Sequence, residues 1–297
     1  MTFKPLPRPD RWYALLVVLG LLAQAFLAAR AVITRPVDGL SFVLALWVCI
    51  SLLIAGYLCY RAICAFTLEY WVTRDGVTLV WGFTQQIVPM GRIRRIQRGA
   101  QPVGVSRLRP WHWPYPERRR LWGVGVGVVN SYATRPLGEQ IILVTDEECF
   151  GISPAEPEKF LAALQERYAL GVARELPMEL RRPPLWTWPL WRDRTAQVLI
   201  ALGLVGLLLM FGVLAFRYPS LPTDVPLHFD VYGRPDRIAS KAGLFALPLI
   251  GLIAWAANGL IGVVLYRREQ RAAAYLLWAG AVIVQVIAGV ALRNLMR

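Results

Sequence analysis

Residue types that often carry chemistry are scarce in this chain of 297 residues. The two histidines leave little room for a histidine-centred active site or a zinc site. The four cysteines are Cys49, Cys59, Cys64 and Cys149, and their spacing fits neither a zinc site nor a disulfide framework. The sequence contains no phosphate-binding loop and no Gly-x-Ser-x-Gly motif. We therefore predict a protein that is not an enzyme and that holds no metal or other cofactor.

Charged side chains are missing from five long stretches, which are residues 12–29, 39–60, 195–216, 242–266 and 272–292. A helix of about 20 apolar residues crosses the hydrocarbon core of a bilayer, so each stretch is long enough to span a membrane. The lack of charge also argues against an ion-coupled transporter, which needs ionisable groups within its spans. We predict a membrane protein of about five transmembrane helices, with a soluble domain between the second and the third.

Lysine is also rare, because only Lys4, Lys159 and Lys241 are lysines among the 33 basic residues, and the net charge is +14. A strongly basic chain can bind nucleic acid. Arginine that borders membrane spans has a different use, since it marks the cytoplasmic side and meets anionic lipid. With five predicted spans, we expect anionic lipid headgroups as partners of these charges, and no nucleic acid.

The distribution of arginine and lysine predicts the orientation of the chain. The N-terminus and residues 62–194 are expected in the cytoplasm, and the C-terminus outside. The short link 30–38 and the C-terminal end are also expected outside, and the two arginines that each carries are weak evidence against this orientation. The predicted organisation is a two-helix anchor (1–64), a cytoplasmic domain (65–171), an interfacial linker (172–194) and three helices (195–297) with an outside loop (217–241).

Alternation of apolar and polar residues predicts antiparallel strands in the cytoplasmic domain. Asp75-Gly76 is a hairpin turn signal between two such strands. Residues 121–129 read as one strand with glycine at 123, 125 and 127, and residues 140–144 and 149–152 as two more. Ser153 and Pro154 then predict the N-cap and first residue of a helix that ends near Tyr168.

Three motifs in this region resemble bacterial pleckstrin-homology-like (PH-like) domains. They are Tyr70 to Val77, Val88-Pro89 followed by Ile93 to Ile96, and Ile152-Ser153-Pro154 with Phe160 and Leu164. The resemblance implies an α+β fold of antiparallel strands with a C-terminal helix, in the bacterial cytoplasmic membrane. It also implies contact with protein partners or self-assembly more than phosphoinositide binding. Residues 99–120 form a basic, Trp- and Pro-rich insertion that the family does not require.

The loop between the third and fourth spans carries a second pattern. Its residues resemble the loop of the domain of unknown function that opens the SdpI-type immunity proteins; they are Pro226, His228, Phe229, Asp230, Gly233, Asp236, Arg237 and Lys241. The pattern predicts a ligand or partner site. The structural alternative is a turn at Gly233 and Pro235, with Asp236 paired to Arg237 and Asp230 capping the backbone. A single histidine is thin support for a metal.

Arginine and aromatic residues are interleaved in two places. The predicted surface patch consists of Arg107, Arg109, Trp111, Trp113, Arg118, Arg119, Arg120 and Trp122, with Trp186, Trp188 and Trp191 of the linker. Such residues bind single-stranded nucleic acid, an acidic protein or the membrane interface. Since the domain is tethered to the bilayer at both ends, we favour the interface.

Few polar residues occur within the spans. Asn258 and Gln285 lie near mid-depth of the fourth and fifth spans, where they are predicted to form a hydrogen bond across the two helices. Glycine and alanine on the same faces favour close packing.

Taken with the two resemblances, these features predict a non-enzymatic multi-pass interaction protein, a scaffold or a sensor. One alternative is an accessory subunit of a larger membrane complex, such as an energy-transducing one. A second alternative is an immunity-type or ligand-binding protein that acts through residues 221–241. The expected protein partners are other membrane subunits or further copies of the chain.

Overall fold

The computed structural model describes residues 1–7, 9–102, 119–184, 187–230, 232 and 234–296. The chain divides into two compact units. The first contains Met1–Ala23 and Ser51–Pro184, and the second contains Gln24–Ile50 and Leu185–Arg297.

Five long apolar helices account for the membrane character of the chain. Their bounds are α1 Asp10–Thr34, α2 Gly39–Phe66, α4 Arg194–Arg217, α5 Ala246–Arg267 and α6 Arg271–Leu295. Within the described residues, five helical segments are long and apolar enough to cross a bilayer. A helix satisfies its backbone hydrogen bonds internally, which is what a chain in hydrocarbon requires. The prediction of a multi-pass membrane protein with about five spans is confirmed.

The first unit contains two five-stranded sheets. One sheet contains β1 Thr2–Phe3, β2 Glu69–Val72, β3 Gly76–Trp81, β4 Thr84–Pro89 and β10 Glu179–Arg181, in that spatial order and all antiparallel. The other contains β5 Ile93–Arg98, β6 Arg119–Gly123, β7 Gly127–Tyr132, β8 Ile141–Thr145 and β9 Cys149–Ile152. Its spatial order is β5-β8-β9-β7-β6, and the pairing of β7 with β9 is parallel.

The core of this unit lies between the sheets and helix α3, Pro157–Ala169. Tyr70, Tyr132, Phe150 and Phe160 are its largest fully buried side chains. The Tyr70 hydroxyl donates to the carbonyl oxygen of Tyr132 at 2.7 Å, so the one polar atom of that side chain is satisfied in the core. The predicted α+β architecture of strands and a closing helix is confirmed, but the prediction that the strands are all antiparallel is wrong for β7 and β9, which pair in parallel.

The predicted start of the closing helix is wrong by three residues. The helix begins at Pro157, whereas Ser153 is buried and its hydroxyl accepts a hydrogen bond from the Thr134 amide at 2.8 Å. The chain around Pro154 stays extended because it bonds to the N-terminal segment: the Ala155 amide donates to the Lys4 carbonyl at 2.9 Å. A proline does occupy the first turn of the helix, as the rule predicts, but it is Pro157 and not Pro154.

Residues 121–129 are not one strand. They form the end of β6, a turn and the start of β7, with Gly123 paired to Gly127. Gly125 and Gly127 have φ values of +76° and +71°, a left-handed conformation that glycine adopts without steric penalty. The glycines that seemed to alternate within a strand therefore make a tight hairpin. Arg119 and Arg120, placed by the sequence in an insertion, begin β6.

Both edges of the first sheet come from segments distant in sequence. β1 pairs with β2, and β10, in the predicted linker, pairs with β4. A short strand of two or three residues is hard to recognise by alternation, and the sequence predicts neither.

In the second unit, α4, α5 and α6 pack together. The chain between α4 and α5 forms a two-stranded hairpin, β11 Asp224–Phe229 and β12 Pro235–Ser240. Small residues allow close approach: a Cβ on Gly262 of α5 would lie 2.3 Å from the indole nitrogen of Trp278 on α6.

Candidate functional site

The predicted outside loop is a hairpin anchored on helix ends. Val225 is 2% exposed and belongs to an apolar cluster with Leu214 and Leu244. The Lys241 ammonium donates to the carbonyl oxygens of Tyr218 at 3.1 Å and Leu221 at 3.2 Å. It also lies 4.7 Å from the centroid of the Tyr218 ring. Lys241 therefore holds the end of α4 against the base of the hairpin.

The hairpin brings His228 next to Asp236, with 2.6 Å between Nδ1 and Oδ1 and both side chains well exposed. The sequence alternative that pairs Asp236 with Arg237 is not seen, because neighbouring residues of a strand point to opposite faces. Asp230 Oδ1 accepts hydrogen bonds from the amides of Tyr232 at 2.9 Å and Arg234 at 2.8 Å. Gly233 lies outside the described residues, and Pro226 is half-buried in β11. Among the described residues, no group of three or more His, Cys, Asp or Glu side chains is placed to hold a metal ion.

Replacing Lys241 by methionine is expected to loosen the hairpin. Methionine keeps the apolar stem but removes the ammonium, so two carbonyl oxygens lose their donor, at a cost of about 1–3 kcal/mol. Thermal unfolding in detergent should show a lower midpoint, and hydrogen exchange should become faster in residues 224–240. Arg237→Met, an exposed change on the same hairpin, is the control. Equal behaviour of the two variants would contradict the anchoring role.

Only part of the predicted arginine–tryptophan patch lies within the described residues. Arg107, Arg109, Trp111, Trp113, Arg118 and Trp186 fall outside them, as does the side chain of Arg119. Arg120 and Trp122 are exposed on edge strand β6 of the first unit. In the second unit, Trp191 is exposed, and the Arg267 guanidinium lies 5.3 Å from the ring centroid of Trp188. Binding of this patch to the membrane interface therefore stays a prediction.

The predicted hydrogen bond between Asn258 and Gln285 is not formed. Gln285 is 3% exposed, and neither its Oε1 nor its Nε2 has a hydrogen-bond partner among the described residues. Its side chain lies against α4 instead, where a Cβ added to Gly206 would be 2.3 Å from Oε1. The amide of Gln285 therefore packs beside a glycine of α4 and not on Asn258.

A groove in the first unit was not predicted. It lies between β5 and α3, has a volume of about 380 Å³, and is lined by Met90, Ile93, Arg94, Arg95, Ile96, Leu164, Gln165 and Tyr168. Tyr168 is 65% exposed and Ile96 is 36% exposed. Arg94, which lines the groove, makes two hydrogen bonds with Asp146, at 2.8 and 2.9 Å, and Arg98, farther along β5, pairs with Glu158 at 2.7 Å. The hydrogen bond from Arg94 lowers the pKa of Asp146, so this pair stays charged at neutral pH.

A second unpredicted cluster surrounds Asp193, the N-cap of α4. Its Oδ1 accepts from the Ala196 amide at 3.1 Å, and its Oδ2 accepts from the hydroxyls of Tyr266 at 2.9 Å and Tyr275 at 2.5 Å. One carboxylate thus joins the three helices at their arginine-rich end. The hydrogen bond from Tyr275 is the main cause of a lowered pKa of Asp193. An acid directly before an apolar run was the available sequence signal for this cap.

Comparison with known proteins supports both resemblances. Residues 68–168 match the family described as Bacterial PH domain, and residues 205–252 match a domain of unknown function, DUF1648. The chain is 37% identical to an uncharacterized protein of Archaeoglobus fulgidus over 60 residues, which are 20% of this chain and 33% of that protein. No solved structure matches the chain. The chain therefore carries a bacterial PH domain at residues 68–168 and a DUF1648 region at residues 205–252 of a multi-pass membrane protein.

Proposed function

We propose that this chain is a non-enzymatic membrane interaction protein whose PH domain binds an extended segment of a protein partner along β5. The observation that carries the proposal is the position of β5. Within the described residues it pairs with β8 alone, so it forms an edge of its sheet. An exposed edge strand next to a side-chain groove is the arrangement that accepts an added strand.

The register identifies which backbone groups face the free edge. The Gly99 amide donates to the Gln140 carbonyl at 2.7 Å, and Gly99 continues the pairing in which Gln97 lies opposite Ile142. Inward and outward groups alternate along an antiparallel pair. The N–H groups of Arg95 and Gln97 therefore face β8, whereas those of Ile96 and Arg98 point to the open side.

The groove indicates the chemistry of the partner segment. Ile93, Ile96, Leu164 and the Tyr168 ring supply apolar surface for side chains that alternate along a strand. Arg95 makes no ion pair among the described residues; its guanidinium only approaches the Gly125 carbonyl at 3.5 Å. A segment with alternate apolar residues and an acidic residue beside Arg95 fits this surface.

Ile96→Pro is expected to abolish this binding. Proline at Ile96 removes an outward N–H and leaves the hydrogen bonds to β8 in place, and an edge strand tolerates proline. A photo-reactive amino acid at Tyr168 in the full-length protein, in native membranes, should form one discrete adduct that Ile96→Pro removes. A synthetic peptide of the cross-linked segment should bind the purified protein at least about tenfold more weakly after Ile96→Pro.

The same photo-reactive residue at Trp122, on edge strand β6 at the other side of that sheet, is the control. Adducts at Trp122 and none at Tyr168 would overturn the β5 proposal and favour the arginine–tryptophan patch. Unchanged adducts at Tyr168 in an Ile96→Pro protein of normal thermal midpoint would overturn it as well.

Recognition through the outer hairpin is a second candidate. Next to the His228–Asp236 pair, the hairpin exposes Tyr232 (84%) and Ile238 (65%), more apolar surface than a purely structural turn needs. A photo-reactive residue at Tyr232 tests this separately, with loss of the adduct in His228→Ala as the supporting result. If His228→Ala leaves the adduct unchanged, the pair has no part in recognition.

A further inference from the structure

We propose that the second unit binds one anionic phospholipid. Its phosphate lies in an arginine cleft at one end of α4, α5 and α6, and one acyl chain lies in an apolar groove between α4 and α5. This site is separate from the partner surface on β5 and does not depend on it.

The arginine cleft has a volume of about 560 Å³ and includes Arg192, Arg194 and Arg271 with Asp193 and Tyr266. All three arginine side chains are exposed, and none makes an ion pair within the described part of the chain. Among the described residues that line the cleft, Asp193 is the only carboxylate, and both of its oxygens already accept hydrogen bonds from Ala196, Tyr266 and Tyr275. The cleft is therefore positive, and arginine suits the oxygens of a phosphate.

The apolar groove has a volume of about 370 Å³ and is lined by Leu199, Ile200, Trp255, Gly259, Val263 and Trp278, among others. The two indole N–H groups donate to the carbonyl oxygens of Ile200 and Gly259, at 3.2 and 3.4 Å, so the tryptophans present apolar ring surface to the groove. A Cβ built on Gly259 meets no atom within 4 Å. The groove is open space at that position.

The cleft and the groove follow each other along the same helices. Leu199 is five residues after Arg194 on α4, which is about 7.5 Å along the axis. Val263 is three residues before Tyr266 on α5, or about 4.5 Å. Positive groups followed by an apolar groove match the order of phosphate and acyl chain in a phospholipid. A free phosphate has no acyl chain to occupy the groove. A zwitterionic lipid such as phosphatidylcholine carries a quaternary ammonium beside its phosphate, and the arginines repel that cation.

Native mass spectrometry of the full-length protein in detergent tests the site. Phosphatidylglycerol and phosphatidylcholine with identical chains, and inorganic phosphate, are the three probes. We expect one retained phosphatidylglycerol per chain, with phosphatidylcholine and inorganic phosphate bound at least about tenfold more weakly. The double variant Arg192→Gln/Arg271→Gln should lose this preference. Arg217→Gln/Arg293→Gln, at the opposite ends of α4 and α6, is the matched control and should keep it.

Gly259→Leu places a side chain in the groove, starting from a Cβ that meets no atom within 4 Å, and should weaken retention of phosphatidylglycerol while the arginines remain. Variants are compared only where the thermal midpoint without added lipid equals that of the unaltered protein. Equal binding of the two lipids, or equal loss in the two arginine double variants, would overturn the proposal. Normal retention in Gly259→Leu would exclude the acyl-chain groove.

Discussion

Replacing Phe160 by alanine is expected to destabilise the PH domain by about 3–5 kcal/mol, a large fraction of the roughly 5–15 kcal/mol that stabilises a typical folded protein. Phe160 is fully buried, packs edge-to-face on Phe3 with ring centroids 5.2 Å apart, and fixes α3 to the core between the sheets. Alanine leaves a cavity that the strands on either side cannot close. Limited proteolysis of the full-length protein should cut within residues 68–168, and the five long helices should retain their circular dichroism signal.

Tyr168→Ala, on the same helix but 65% exposed, is the matched control and should change the free energy of unfolding by less than about 0.5 kcal/mol. Phe160→Leu, which keeps most of the volume, should fall between the two variants. If Phe160→Ala resists protease as well as Tyr168→Ala, α3 does not depend on this contact.

The second large effect is expected from Asp193→Ala. The change removes an N-cap, worth about 1 kcal/mol, and the acceptor of two tyrosine hydroxyls, each bond to a charged group being worth about 1.5–3 kcal/mol. Since these contributions overlap, we expect a loss of roughly 3 kcal/mol for the packing of α4, α5 and α6. Thermal unfolding in detergent measures it. Asp193→Asn keeps an acceptor for the cap and should lose less stability. If the alanine variant is as stable as the asparagine variant, Asp193 does not act both as the N-cap and as the acceptor that joins the helices.

The lowered pKa of Asp193 gives this contribution a defined pH dependence. Because the folded pKa lies below the unfolded value of about 3.9, the stabilisation is fully present above that value and is lost as the pH falls through the folded pKa. The difference in midpoint between the unaltered protein and Asp193→Asn should therefore shrink below about pH 4. A difference that stays constant from pH 7 to pH 3 would show that the charge is not involved.

The class of the protein was predictable because it rests on long, uninterrupted signals. Five apolar stretches, a hairpin turn at Asp75-Gly76 and alternating strands each follow from local chemistry. The helix start at Pro157 was missed because the chain around Pro154 is extended by pairing with residues 4–6, which no local pattern reveals. Gly123, Gly125 and Gly127 fitted a strand by alternation, whereas positive φ values at Gly125 and Gly127 turn the chain back on itself after Gly123.

The sites were less predictable than the fold because they depend on distant residues. The groove beside β5 exists only when residues 90–96 meet residues 164–168, and the arginine cleft only when residues 192–194 meet 266–271. His228 and Asp236 were predictable as a pair of interest since a hairpin brings them together, but their mutual hydrogen bond required the register of β11 and β12. Gln285 illustrates the reverse case, where a polar residue within a span turned toward a glycine and not toward the expected partner.

Because β1 pairs with β2, the PH domain can be completed only after both α1 and α2 have been synthesised. Thr2 and Phe3 are made before α1 and α2, but their partners Trp71 and Tyr70 are made after both helices. The two strands can meet only on one face of the membrane, which they share when both α1 and α2 span it. The sheet then closes, and Phe3 reaches Phe160 only after α3 has also been made. Completion of the PH domain thus requires that both ends of the α1–α2 segment lie on the same face of the membrane.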